Sequence, residues 1–276
     1  MTLIRVAHSP DSDDAFMFYA LAKGLIDTGE YEFEHVLADI ETLNREARLG
    51  TYEVTAVSIH AFAYLDDRYA LLGSGASMGD GYGPVLVARE TIPDHRLASI
   101  RVAIPGRLTS AALALELWRP GLATTVLSFD AIGPAVEAGD VDAGVVIHEG
   151  QLTWRDEGLV NLVDLGVWWA GATEGLPLPL GGNVVRRDLG ERTMTEVAGL
   201  LRASIVYSLE HREAALDYAL GYGRGLSRDK ADRFVGMYVN ELTVDYGERG
   251  RAAVRTFLER AAARGLIPKV PRLDFI

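Results

Sequence analysis

The segment Val141-Asp-Ala-Gly-Val-Val-Ile-His148-Glu149 sets the reading of the whole chain. Val145, Val146 and Ile147 make a short apolar run, the pattern of a strand buried on both faces as in a parallel sheet. The run stops at an imidazole followed by a carboxylate. In open α/β sheets, ligands bind in the crevice beyond the carboxyl ends of the strands. A histidine placed there, with an ordinary pKa near ~6.5, gains or loses a proton close to neutrality. His148 is the candidate catalytic group, and a surface or capping histidine is the alternative.

Upstream, the pattern repeats. Residues 100–104 read as a strand that enters the turn Pro105-Gly-Arg-Leu-Thr-Ser110, and a helix follows over 111–118. The backbone N–H groups at that helix start, with the hydroxyls of Thr109 and Ser110, form a candidate cradle for a carboxylate. Arg107 could add positive charge there, and an exposed arginine is the commoner alternative. Strand 124–127 and helix 130–138 then lead into the His148 strand.

Nearer the start, residues 3–7 form a strand that runs into His8-Ser9-Pro-Asp-Ser-Asp-Asp14 and a helix over 15–24 closed by glycine. Ser12, Asp13 and Asp14 are candidate N-caps, and for Asp13 and Asp14 ligand contact is equally open. A second strand (32–37), a capped helix (39–50) and a third strand (54–57) complete a βαβ rhythm. That third strand delivers Ala56, Val57 and Ser58 to a polar turn. His60 reads as a packed or surface histidine. The glycine-rich stretch over 73–83 has neither a P-loop ending nor dinucleotide-fingerprint spacing and reads as a structural loop.

Beyond His148, residues 151–169 are less clear, and Trp154, Trp168 and Trp169 read as packing groups. The prolines of Leu176-Pro-Leu-Pro-Leu-Gly-Gly-Asn183 favour an extended crossing segment into a strand at Val184-Val185. A helical tail follows, with Met194, Val197, Leu201, Ile205 and Leu209 on one face. The layout predicts an α/β, two-lobed binding fold, with lobe one over 1–90 and 185–276 and lobe two over 91–184. The ligand cleft lies between the lobes, and the C-terminal part is helical.

Composition narrows the function. The 276 residues are 49% hydrophobic and 24% charged, ordinary values for a globular chain. A net charge of -12 argues against nucleic acid or an anionic membrane as partner. There is no cysteine, hence no disulfide, thiolate metal site or cysteine nucleophile. With no apolar run of membrane-spanning length and no export signal, the chain is expected to be soluble and cytoplasmic. A monomer or homodimer acting on a small molecule is expected.

These residues together resemble the 1,4-dihydroxy-6-naphthoate synthases of the futalosine route to menaquinone, nearly end to end. The likeness is carried by Ser9-Pro10 with Asp14 and Phe16-Met-Phe-Tyr-Ala-Leu21, by Glu41-Thr-Leu-Asn44 and by Asp67-Arg-Tyr69. Pro105-Gly-Arg107 with Thr109-Ser110, Ile147-His148-Glu149, Val163-Asp-Leu-Gly166 and Leu176-Pro-Leu-Pro-Leu-Gly181 continue it. Arg187-Asp-Leu-Gly-Glu191 and Tyr238-Val-Asn240 extend it into the tail.

The resemblance implies a periplasmic-binding-protein-like type II fold used as a lyase. Such an enzyme converts cyclic dehypoxanthine futalosine to 1,4-dihydroxy-6-naphthoate, without metal or organic cofactor. It implies His148 as base and substrate contacts at Ala56, Val57, Ser58, Thr109 and Ser110. Ser9, Asp14, Asn44 and Arg107 are the further candidates for substrate binding. Two departures bear on anchoring: Ala56 stands where the family pattern has lysine, and Ser9-Pro-Asp-Ser-Asp-Asp14 replaces Ser-Pro-Cys-Pro-Asn-Asp. The competing readings are a non-enzymatic solute-binding or sensor protein of the same fold, and chorismate dehydratase of the same pathway.

Overall fold

The computed structural model describes residues 1–222 and 226–276. Its strands are β1 (Thr2–His8), β2 (Tyr31–Leu37), β3 (Val54–Ser58), β4 (Tyr69–Leu71), β5 (Ser77–Gly79) and β6 (Val85–Ala88). Then come β7 (Arg101–Ile104), β8 (Ala123–Val126), β9 (Ala143–Val146), β10 (Val160–Asp164) and β11 (Leu178–Arg186). They form two sheets. The first runs β2-β1-β3-β11-β4, with β5 also paired to β11; the second runs β10-β6-β9-β7-β8.

The parallel core is as the βα rhythm predicts: β1 pairs in parallel with β2 and β3, and β7 with β8 and β9. The chain's two crossings account for the antiparallel members. β6 runs antiparallel to β9 and β10, and β11 antiparallel to β3 and β4. The His148 strand thus has a parallel neighbour on one side and an antiparallel one on the other. It ends at Val146, so Ile147 lies just outside it.

β6 pairs in the second sheet, so the chain passes from one sheet to the other over residues 80–84. β11 begins at Leu178, where the chain is back in the first sheet. Its prolines are accommodated because Pro179 sits where the pairing with β5 shifts register. The glycine-rich loop proves to carry β5. Close backbone approach at the first crossing explains one glycine: a Cβ on Gly166 would lie 1.9 Å from the Tyr82 carbonyl oxygen.

One apolar core joins the two sheets, with Leu86, Val102 and Leu113 packed in the same cluster as Val57, Leu71 and Phe257. Trp169 is fully buried there, and its indole N–H donates to the Pro177 carbonyl at 3.0 Å. Trp154 packs beneath the second sheet with Val136 and Val146. The helix Glu191–Glu210 buries Met194, Val197, Leu201 and Ile205 against β1, and Leu209 stays half-buried at its end. For residues 223–225 the expected helical tail lies outside the described residues.

The expected helix over 15–24 is two short ones, Ser12–Met17 and Tyr19–Ala22, broken at Phe18. Its N-cap position is Asp11, and no side chain caps it. The reason is functional geometry: the Asp11 carboxylate is spent elsewhere. Among the described residues no helix is long and apolar enough to cross a membrane.

Candidate active site

Between the sheets lies a pocket whose empty space, counted out to its open mouth, is about 740 Å³. The first sheet supplies Ser9 from the end of β1, Ala56, Val57 and Ser58 from β3, and Gly181 to Asn183 from β11. The second sheet supplies His148 after β9, and Thr109 and Ser110 at the start of the helix Ser110–Trp118. The expected junctions therefore meet at one pocket.

His148 is held from across the cleft. Its Nδ1 lies 2.9 Å from the Asp11 carboxylate, and the Phe129 ring meets it edge-on at 5.0 Å. That leaves Nε2 as the ring nitrogen for a ligand. The backbone of His148 is left-handed, φ 51°, a conformation uncommon outside glycine and concentrated at functional sites. Burial alone would lower its basicity, but the Asp11 charge and hydrogen bond more than offset this, and Glu149 and Asp13 add to them. The imidazole is raised to about 9.

The turn that presents Asp11 is a compact acidic cluster. Asp14 accepts from both the backbone N–H and the hydroxyl of Ser9, at 2.8 and 2.7 Å. Burial raises Asp14 and those hydrogen bonds oppose the rise, leaving it at about 6. Asp13 lines the pocket. Burial first, then the Asp14 and Asp11 charges, hold its carboxyl well above the usual carboxylate range.

On the other side the groups are neutral donors. Asn44 does not reach the pocket; it is fully buried and orients Ser58. Its Oδ1 accepts from Ser58 N–H at 2.8 Å and its Nδ2 donates to Ser58 Oγ at 3.0 Å. The Ser58 hydroxyl is thereby left with its own proton to donate.

Thr109 and Ser110 differ from the expected hydroxyl cradle. Thr109 Oγ1 caps its helix by accepting from Ala112 N–H at 3.2 Å, and donates to the Gly106 carbonyl at 2.8 Å. Ser110 Oγ donates to the Leu180 carbonyl at 2.5 Å and accepts from His60 N–H at 3.2 Å. Both hydroxyls are engaged by the protein. What the helix start still offers a ligand is its first-turn amides, which have no intrahelical acceptor. Thr109→Ala should therefore lower stability by about 1 kcal/mol through the lost cap, read as a drop in Tm, with little change in ligand affinity. An affinity loss without a Tm change would show that the hydroxyl touches the ligand after all.

Arg107 takes the exposed alternative. Its side chain is exposed and borders a separate groove with His60 and Glu116. The inner side of its turn is filled by Glu41, whose Oε2 accepts from Leu108 N–H at 3.2 Å. With that space taken, the guanidinium stays on the solvent side. His60 is a packed histidine, its Nδ1 3.2 Å from the Thr109 carbonyl.

With this geometry in place, comparison with known proteins is decisive. Residues 4–263 match the model of a family described as menaquinone biosynthesis. The chain belongs to that menaquinone biosynthesis family. Within it, a Thermus thermophilus protein named 1,4-dihydroxy-6-naphtoate synthase is 42% identical over 276 residues, all of both chains. One of the same name from Streptomyces coelicolor is 40% identical over 271 residues, 96% of this chain and 95% of its own. A crystal structure of an Archaeoglobus fulgidus protein superposes with TM-score 0.92 at 49% identity, covering 96% of this chain and 98% of that one. The fold reaches further. An alkanesulfonate-binding protein from Xanthomonas axonopodis, only 13% identical, aligns with TM-score 0.71 over 98% of this chain and 96% of its own. The family member is thus an α/β protein of periplasmic-binding-protein-like fold.

Several pocket residues escaped the sequence reading. Asp11, which reaches the site through His148, reads in the sequence only as part of a capping cluster, Gln151 opens the stretch that stays unclear, and Tyr238 reads as a helical position. The Tyr238 hydroxyl donates to Gln151 Oε1 at 2.6 Å, tying the helix Arg228–Tyr238 to the helix Gly150–Thr153 beside His148. Ser77, from the glycine-rich loop, also lines the pocket. Among these, the Tyr238-Val-Asn240 segment of the resemblance was the available signal.

Proposed function

We propose that the protein is a carbon–carbon lyase of menaquinone biosynthesis that forms 1,4-dihydroxy-6-naphthoate from cyclic dehypoxanthine futalosine, with His148 as the proton acceptor. The observation that carries this reading is the end-to-end match to curated synthases at 42% and 40% identity. The site supports it chemically. Proton abstraction next to a carbonyl needs a base within hydrogen-bond reach of the reacting carbon. An imidazole strengthened and oriented by Asp11 at 2.9 Å meets that need. The elimination it starts leaves an aromatic product, and an apolar pocket wall of Met17, Ile40, Val57 and Leu180 suits such a ring.

In this reading the substrate carboxylate is met by Ser58 Oγ and by the first-turn amides of the helix Ser110–Trp118. On this reading two lobes close over the substrate, residues 1–79 with 178–276 against residues 85–172, a division supported by the separate strand pairing of the two sheets. The reaction is placed in the cytoplasm, as a biosynthetic step on a small molecule. The test is direct: purified protein is incubated with cyclic dehypoxanthine futalosine and naphthoate is followed by mass. Formation of the product is expected. Binding without product would replace the synthase with a binding protein of the same fold.

A further inference from the structure

Among the described residues lining the pocket, Asp13 is an acidic side chain that neither the Ser9 turn nor the proton-accepting role of His148 explains. It is 8% exposed, lines the pocket beside His148 and Gln151, and its Oδ1 has no hydrogen-bond partner among the described residues. Asp14, next to it, is tied to Ser9 by two hydrogen bonds. Asp11 is engaged by His148. A buried polar atom left without a partner is costly, and it is retained where a ligand supplies the partner. The setting also fixes which partner fits. Carboxyls crowded at one site do not all ionise together, and a carboxyl kept neutral gains a hydrogen-bond donor that the anion lacks.

We propose that Asp13 is the specificity-determining donor of this site: its carboxylic acid donates a hydrogen bond to an uncharged oxygen, a hydroxyl or carbonyl, of the bound molecule next to His148. Resting on the synthase reading, this orients the substrate. The acidic side of the pocket takes the hydroxylated, sugar-derived portion and repels an anion. The substrate carboxylate then lies on the side of Ser58 and Ser110, which Ser110 Oγ and the Leu180 carbonyl tie together across the cleft. The direction of the Asp13 shift agrees, since burial and the Asp14 and Asp11 charges all favour its neutral form.

The orientation separates two probes. The product 1,4-dihydroxy-6-naphthoate carries the carboxylate and has lost the sugar-derived portion. Asp13→Ala should raise KM for cyclic dehypoxanthine futalosine about 10-fold or more, the scale of one buried hydrogen bond. Its affinity for the naphthoate should stay within about 2-fold of the unmodified protein, since no hydrogen bond to it is lost. Asp13→Asn, of the same shape and with an amide donor, should recover most of the loss. It should also remove the rise in KM expected of the unmodified protein as pH increases and Asp13 ionises. Equal losses for substrate and naphthoate, or an asparagine variant as weak as the alanine one, would overturn the proposal. A readout free of turnover separates this from failure of the synthase reading: the infrared carbonyl band of a protonated carboxyl at pH 7, absent from Asp13→Asn. If the unmodified protein makes no naphthoate, the synthase reading fails. If it lacks that band, Asp13 as donor fails.

Discussion

His148→Asn should abolish turnover, with kcat lowered by on the order of 10²–10⁴-fold, the usual contribution of a general base, while substrate still binds. Asparagine keeps a polar group of similar reach and a left-handed backbone at that position, since asparagine tolerates positive φ better than most residues. The fold around φ 51° is therefore preserved, and the loss reports on chemistry. Steady-state kinetics paired with calorimetric binding separate the two effects. Turnover near normal would remove His148 from the role of base.

Asp11→Asn should be nearly as damaging, and its pH profile is the more informative result. In the unmodified protein the imidazole is raised to about 9, so the reactive neutral form is a minority at neutral pH. The kcat/KM of the free enzyme should climb about 10-fold per pH unit below that value, because a single proton must leave. Replacing the Asp11 carboxylate removes the principal cause of the rise and leaves the burial that opposes it. The ascending limb should shift to lower pH. The plateau should fall by on the order of 10²-fold or more, because the base is weaker and its tautomer and orientation are no longer fixed. A limb that stays in place would show that Asp11 does not set the basicity of His148.

The sequence displayed the parts of this site that sit at strand ends. His148, Ser58 and the Thr109-Ser110 pair were legible because an apolar run that stops abruptly at polar residues marks a strand meeting a crevice, whatever the strand's partners. What it hid was pairing across distance. Asp11 and His148 come from opposite sheets, and nothing local in either segment points to the other. The same limit applies to Tyr238 and Gln151, joined between a C-terminal helix and a turn beside the base. The antiparallel strands β6 and β11 were missed as such because an apolar strand buried on both faces has no local mark of its neighbour's direction. The side that Arg107 takes is hidden for a related reason: its own turn reads as open, and Glu41, from a distant helix, fills it.

Because Asp11 and His148 belong to different sheets, their 2.9 Å contact is a clasp that is strongest when the imidazole carries its second proton. With the lobes apart, the imidazole would return toward its ordinary affinity near ~6.5; with them together, it holds its proton up to about 9. Closing the cleft in that interval takes up a proton, and by linkage a proton helps close the cleft. The help is complete below the ordinary histidine range and is lost as pH rises through about 9. Yet that second proton, on Nε2, must leave before His148 can accept one from the substrate. Capture and chemistry thus ask opposite things of one site, and the working pH of the protein is the compromise between them.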